Sequence, residues 1–216
     1  MSTHGKSWRA GFTLLELLTV IVIMFVVMGI AVGSFVGYTR GAALRGSVMN
    51  VKGTLQLARQ HAVTYQRATA VVFDSSGDDH TYIPVVETAL CSGLGAGGRR
   101  LDLVYPLQIE DDALGGQFVY NMRTGARSRV VEHRENWIRI ENAVFSVGDR
   151  VGISIHSRRV LPEGIHFRSH PPIVFFYSDG TSNEDNQIEL AEIGYDDLPP
   201  RVLQVRGLTG WVSEES

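Results

Sequence analysis

The chain has 216 residues, of which 44% are hydrophobic, and its formal net charge is −3. This weakly acidic balance argues against a general nucleic-acid-binding surface. The single cysteine, Cys91, excludes an intramolecular disulfide, so the fold must be held together by packing.

The first distinctive element is an apolar run over residues 12–36 that contains one ionisable side chain, Glu16. About 20 helical residues cross a hydrocarbon core of about 30 Å, so this run is long enough to span a membrane. The preceding segment 1–11 carries Lys6 and Arg9 and no acid, which predicts that it stays in the cytoplasm while the rest of the chain is exported.

Two ordinary interpretations fit this start poorly. A secretory signal has an apolar core of only 7 to 15 residues. A plain signal anchor explains the length, but not a carboxylate within the apolar run, where an acid costs about 2.5 to 3.5 kcal/mol.

Residues 9–18, RAGFTLLELL, resemble the type III signal of type IV prepilins and type II secretion pseudopilins. The resemblance implies that prepilin peptidase cuts after Gly11 and N-methylates the new first residue, Phe12. It also implies that Glu16 is an assembly contact, pairing with the new amine of a neighbouring subunit. An unpaired amine at the head of an apolar helix is costly in lipid, which fits this role. Loss of the leader would take the net charge from −3 to −5.

Glycines recur every four residues within the same segment, at Gly29, Gly33, Gly37 and Gly41. This spacing places them on one stripe of a helix, where small residues let helices approach closely in lipid. Glycine is also common in membrane helices for no specific reason, and both interpretations stay open. We expect residues 12–37 to form a transmembrane and filament-core helix.

Residues 38–66 are predicted to continue that helix as an amphipathic segment. Apolar residues fall at alternating steps of four and three: Leu44, Val48, Val51, Leu55, Ala58, Ala62 and Tyr65. A coiled coil would show the same periodicity, but the stretch is short and strand-like sequence follows at once. Packing against a sheet is therefore favoured.

The remaining residues, 67–216, have the texture of a β-rich domain, which predicts an α+β fold with an antiparallel sheet packed on the helix. Seven strands are predicted, at 68–73, 82–86, 137–140, 151–155, 173–177, 188–191 and 202–205. Two stretches, 91–100 and 110–116, are predicted to be irregular. Cys91 would then lie in a flexible glycine-rich segment.

Two parts of this domain resemble the minor pseudopilin H (GspH) and FimT family. One is residues 54–63, TLQLARQHAV, followed by the strand at 71–73. The other is the C-terminal order of an apolar strand, the turn SDGTS at 178–182, a second strand and a hairpin that ends in Thr209-Gly210-Trp211. The resemblance implies a pilin-like fold, while residues 85–165 match no family pattern.

No arrangement of residues predicts catalysis, a metal or a cofactor. Four candidate metal ligands, His156, His166, His170 and Asp179, have spacings that match no known site, and Asp179-Gly180 is typical of a turn. The acidic clusters follow no calcium-loop pattern. We therefore predict a substrate of an enzyme rather than an enzyme.

The sequence favours a minor pseudopilin of a type II secretion system, at or near the tip of the pseudopilus. The alternatives are a FimT-like minor pilin of a type IV pilus and a periplasmic binding module on a plain anchor. The resemblance implies four partners: prepilin peptidase, the major pseudopilin, other minor pseudopilins and the inner-membrane assembly platform. It also implies a single inner-membrane span with the C-terminal domain in the periplasm.

DNA is not expected among the partners. The last strands offer Arg201 and Arg206 beside four acids, Glu189, Glu192, Asp196 and Asp197. A further basic set, whose position the sequence does not fix, consists of Arg99, Arg100, Arg123, Arg127, Arg129 and Arg134. Binding DNA without reading its bases needs several phosphate contacts, so only this set could supply them.

Overall fold

The structure is a computed structural model, and it describes residues 13–77, 79–91, 100–103, 111, 116–134, 136–141, 144–194 and 199–215. For residues 31–40 it describes the backbone alone. The chain divides into two compact units, Met1–Ala42 and Ala43–Ser216. The described residues form one helix and thirteen strands, which confirms the predicted α+β class.

Helix α1 runs from Leu14–Tyr65, a length of 52 residues. It ends in a Schellman motif, in which Gln66 adopts a left-handed backbone (φ 52°) and the Arg67 N–H bonds to the Ala62 carbonyl at 3.1 Å. The Gln66 side chain covers a further orphan carbonyl, that of Val63, at 2.8 Å. The helix therefore stops at Tyr65 without a glycine.

Within the second unit, one face of α1 is buried against strands. The buried positions repeat the predicted spacing: Val48, Val51, Leu55, Ala58 and Ala62. They share a core with side chains from both sheets, so this half of the helix is amphipathic and packs on β structure as the periodicity predicts.

Every strand pairing is antiparallel among the described residues. The strands are β1 Thr69–Asp74, β2 Thr81–Leu90, β3 Arg100–Asp102, β4 Phe118–Asn121, β5 Arg127–Arg134, β6 Trp137–Ile140, β7 Arg150–Ser154, β8 Arg159–Val160, β9 Ile165–Ser169, β10 Ile173–Phe176, β11 Asn186–Glu192, β12 Arg201–Val205 and β13 Val212–Glu215. The first sheet has the order β10-β1-β2-β7-β4-β5-β6-β3, with β8 on β2, and the second has the order β13-β12-β11-β9.

The first sheet curls back on itself. A bridge pairs Ala89, in β2, with Leu103, just after β3, so the last strand of the sheet returns to its third. The enclosed side chains form a separate apolar cluster that includes Val119, Ile138 and Val151. This half of the sheet is therefore barrel-like, and its interior is filled by side chains.

Cys91 corrects one expectation. Its side chain is 1% exposed and belongs to the cluster inside the curled sheet. Its backbone is also paired, since the Cys91 N–H donates to the Asp149 carbonyl and the Gly148 N–H donates to the Cys91 carbonyl, both at 2.9 Å. The placement of Cys91 in a flexible segment was wrong, because the residue behaves as a small core side chain that ends the β2 region.

Candidate assembly site

The first turns of α1 expose an unusual amount of apolar surface. Fourteen large apolar side chains between Leu14 and Ile30 are 44 to 83% exposed. Positions 20 to 28 are all among them, so the exposed apolar surface surrounds the helix instead of forming one stripe. A helix that is apolar on every side belongs in lipid or in a protein core, because water disfavours such a surface.

Thr13 and Glu16 form a cap at the start of this helix. The Glu16 N–H donates to Thr13 Oγ1 at 3.3 Å, and the same hydroxyl lies 3.5 Å from Glu16 Oε2. Leu17 N–H bonds to the Thr13 carbonyl at 3.2 Å. This resembles a capping box, and an acid in the first turn is also favoured by the helix dipole.

The Glu16 carboxylate takes part in no ion pair within the described part of the chain. It is exposed and sits in the first turn of the apolar helix. Its charge is therefore available to a cation from another molecule, with the Thr13 hydroxyl as a weak local contact.

The other predicted site residues are only partly described. Gly11 and Phe12 lie outside the described residues, and the surroundings of Gly33 and Gly37 lie outside them as well. At Gly29 an added Cβ would meet no atom within 4 Å, so the surface there is open.

Among the helical residues that the structure describes, none forms a stretch with the length and hydropathy of a membrane span.

A second site concerns how α1 is held on the β structure. Arg59 Nε donates to the carbonyls of Gly180 and Thr209, both at 3.0 Å. Both turns use left-handed glycines, with φ +83° at Gly180 and +59° at Gly210. A Cβ on Gly210 would stand 2.1 Å from the Gly180 carbonyl oxygen, so the two turns can approach only because Gly210 lacks a side chain.

The Asp179-Gly180 turn is confirmed by its hydrogen bonds. Asp179 Oδ1 accepts from the Thr181 N–H at 2.9 Å and from the Thr181 hydroxyl at 2.7 Å. These bonds favour the charged carboxylate and lower the pKa of Asp179. The aspartate-glycine turn and the threonine-glycine ending thus form the two turns that contact Arg59.

Of the three histidines singled out in the sequence, His156 follows β7, and the other two lie in and just after β9. His166 is in β9, and His170 lies 5.2 Å from the Phe167 ring centre. A third histidine, His80, lies 5.8 Å from His166, and sequence reasoning missed it because it sits in the polar β1–β2 turn. Among the described residues no group of three or more His, Cys, Asp or Glu side chains is placed to hold a metal.

The surroundings of the half-buried His80 ring favour its neutral form. Burial lowers the pKa of His80, and His166 and His170 lower it further. Its Nδ1 accepts the Phe167 N–H at 3.3 Å, which requires the neutral ring.

Three of the six arginines in the basic set, which are Arg99, Arg100, Arg123, Arg127, Arg129 and Arg134, form ion pairs with acidic side chains. Arg123 Nε lies 2.8 Å from Asp149 Oδ1, which lowers the pKa of Asp149 to about 2. Arg134 and Arg100 pair with Glu132 and Asp102 at 3.3 and 3.4 Å. Two members, Arg127 and Arg129, lie at alternate positions of β5 and form no ion pair with another described residue, and Arg99 lies outside the described residues.

No protein-family model matches the chain, and no curated protein matches it either. Two crystal structures of the type IV minor pilin FimU from Pseudomonas aeruginosa are similar to it at 14% identity. One aligns with a TM-score of 0.42 over 83% of this chain and 92% of FimU, and the other with 0.38 over 80% and 93%. At this level of similarity we argue function from the chain's own residues alone.

Proposed function

We propose that this chain is a minor pseudopilin of a type II protein secretion system, a structural subunit assembled at or near the tip of the pseudopilus. The observation that carries the proposal is the exposed apolar surface that surrounds α1 from Leu14 to Ile30. It follows directly on the signal-like residues 9–18, and Glu16 is its single acid.

Before assembly, residues 12–37 lie in the inner membrane and the C-terminal domain lies in the periplasm. Prepilin peptidase removes the leader after Gly11 and methylates Phe12. The assembly platform then moves the subunit out of the membrane, and its apolar helix packs among those of the major and other minor pseudopilins. No residue of the chain has a catalytic role in this proposal.

Glu16 sets the register of the incoming subunit. Apolar side chains gain little from exchanging lipid for neighbouring helices, since both surroundings are apolar. A carboxylate in lipid costs about 2.5 to 3.5 kcal/mol, and pairing with the amine of a neighbouring subunit offsets that cost. The exposed position of Glu16 and the absence of an ion pair to any described residue support this role.

The processing test uses Gly11→Val. Because the peptidase subsite before the cut accepts a residue without a side chain, we expect Gly11→Val to keep its leader while the native chain loses residues 1–11. Mass spectrometry of membrane extracts from cells that contain prepilin peptidase measures both. Gly5→Val, in the same leader, is the matched control and should be processed normally. A native N-terminus other than Phe12 would contradict the proposal.

The competing function is that of a FimT-like minor pilin active in DNA uptake. It is less favoured because three arginines of the basic set, Arg100, Arg123 and Arg134, form ion pairs with acidic side chains. We expect no retardation of double-stranded DNA by the C-terminal unit at micromolar protein and physiological salt, because two exposed arginines supply too few phosphate contacts. Salt-sensitive retardation that Arg127→Gln combined with Arg129→Gln abolishes would favour the FimT-like function. Arg168→Gln, at another exposed strand position, is the control.

A further inference from the structure

A cleft of about 470 Å³ lies between the exposed side of α1 and the turn that joins β12 to β13. This volume falls within the range of small-molecule sites. Three separate segments of the chain line the cleft, and their polar and aromatic side chains are those of Gln56, Arg59, Gln60, Thr64, Asp179 and Trp211. The structure describes residues 51–70, 171–191 and 201–215, so the chain on both sides of each of these six residues is described.

Trp211 is fixed by its backbone while its ring stays at the surface. Its N–H donates to the Thr209 hydroxyl at 3.3 Å, and its carbonyl accepts the Arg206 N–H at 2.9 Å. The Gly210 N–H closes the same turn on the Arg206 carbonyl at 2.6 Å, and Arg59 ties the turn to α1. Trp211 is nevertheless 60% exposed. A large aromatic ring in a turn of this kind offers an apolar face to a ligand with little further ordering.

The opposite wall of the cleft is a polar stripe of α1. Gln56, Gln60 and Thr64 follow one another at steps of four residues, which places them on one side of the helix, and all three are exposed. Their side chains form no hydrogen bond with another described residue. Each amide can donate and accept, as can the hydroxyl, so the stripe is available to a molecule that does both.

The two charged groups of the lining hold turns in place. Arg59 Nε donates to the Gly180 and Thr209 carbonyls, and Asp179 Oδ1 accepts the Thr181 N–H and hydroxyl. They also carry opposite charges. Among the described lining residues, the groups without a structural role are therefore uncharged, which favours a neutral ligand.

We propose that this cleft binds a neutral saccharide of one or two pyranose rings, with one ring face stacked on Trp211 and its hydroxyls bonded to Gln56 and Gln60. A pyranose ring has an apolar face of C–H groups and a rim of hydroxyls that both donate and accept hydrogen bonds. The indole matches the face, and the amides match the rim. The site lies wholly in the second unit, so it is independent of the filament role proposed above.

The test is calorimetric titration of the full chain in a polyoxyethylene detergent, which carries no sugar. The titrants are cellobiose, lactose and diacetylchitobiose, and sorbitol is the control titrant because it has hydroxyls but no ring face. We expect saturable binding of at least one disaccharide, one molecule per chain, and none of sorbitol. No saturable binding of any disaccharide, or equal binding of sorbitol, would overturn the proposal.

Variants of the cleft locate the site. Trp211→Ala should weaken binding by at least about tenfold, because the stacking face is lost. Gln60→Ala should weaken it about fivefold, the factor for one hydrogen bond, and its exposed position on the helix leaves folding intact. The matched controls are Leu208→Ala, which is 92% exposed in the same turn, and Gln187→Ala, which is exposed on β11, and both lie outside the cleft. Binding that Trp211→Ala leaves unchanged, or that the controls weaken equally, would contradict a site in this cleft.

Discussion

The apolar side chains of helix α1 are exposed in its first part and buried along one face in its second part. From Leu14 to Ile30 the large apolar side chains are exposed on all sides, whereas farther along the helix one stripe is 0 to 1% exposed, made of Val48, Val51, Leu55, Ala58 and Ala62. The second stretch obtains its stability from packing within its own chain. The first obtains none from the described residues, and an apolar surface of this kind is stable only where it is removed from water.

The largest effect on stability should come from shortening a buried side chain in the packed part of α1. Leu55 is fully buried against both sheets, so Leu55→Ala should lower the free energy of unfolding of the β domain by about 2 to 5 kcal/mol. Met24→Ala, at an exposed apolar position, should change it by less than about 0.5 kcal/mol. Chemical denaturation followed by tryptophan fluorescence measures both. Equal losses would break the comparison, because Met24 would then be packed in solution.

Glu16→Ala should impair assembly and leave the stability of the β domain unchanged. We expect incorporation into filaments to fall by at least about tenfold, given the 2.5 to 3.5 kcal/mol cost of an unpaired charge near lipid, while unfolding of the β domain is unchanged. Co-purification with the major subunit measures incorporation.

Thr13→Val separates pairing from capping, since it removes the hydroxyl that accepts the Glu16 N–H and keeps the carboxylate. If it lowers incorporation as much as Glu16→Ala, Glu16 acts through the helix cap and not through a neighbouring subunit.

A smaller effect belongs to Asp149, which is buried in the domain and accepts bonds from Asn121 Nδ2 at 2.7 Å and the Ser146 N–H at 2.9 Å as well as from Arg123. Its pKa is about 2 in the folded chain against an ordinary 3.8. The depressed pKa stabilises the fold above about pH 4, by about 2 kcal/mol, and that contribution is lost as the pH falls through 2.

Asp149→Asn should remove this stabilisation at neutral pH and leave a flatter acid profile of unfolding. Asp102→Asn breaks a surface ion pair with Arg100 and should change stability by less than about 1 kcal/mol at any pH. Unfolding curves collected between pH 2 and 7 test both variants. An unchanged acid profile in Asp149→Asn would mean that other carboxylates govern acid unfolding.

The difference between the two ends of α1 follows from sequence alone, whereas much of the β region does not. Periodicity located Val48, Val51 and Leu55 on one face because burial on a helix repeats every three to four residues. All seven predicted strands are present in the described residues. For β6 the predicted bounds are those observed, Trp137–Ile140.

Three of the missed strands, β3, β5 and β8, carry little burial signal. In β5, Arg127–Arg134, charged side chains occupy exposed positions and only Ser128 is buried, so no apolar alternation marks it. Strand β3 has three residues and β8 has two. Strands β3 and β8 are set by partners farther away in the chain, β6 and β2, whereas β5 is set by pairing with its sequence neighbours β4 and β6.

Glu16 and the two glycine turns of the candidate site could be predicted from the sequence. The contacts between the turns could not. Nothing local indicates that Gly210 must approach the Gly180 carbonyl, or that Arg59 joins them.

The pairing of β1 with β10 also limits when the domain can fold. Val72 pairs with Ile173 and Thr69 with Phe176, so the edge of the first sheet joins two parts of the chain separated by most of the domain. Such long-range pairings slow folding, because the intervening chain must be ordered before they form. A chain synthesised from its N-terminus cannot complete this sheet until residue 176 has been made. Strand β1 therefore lacks one of its two partners until late in synthesis.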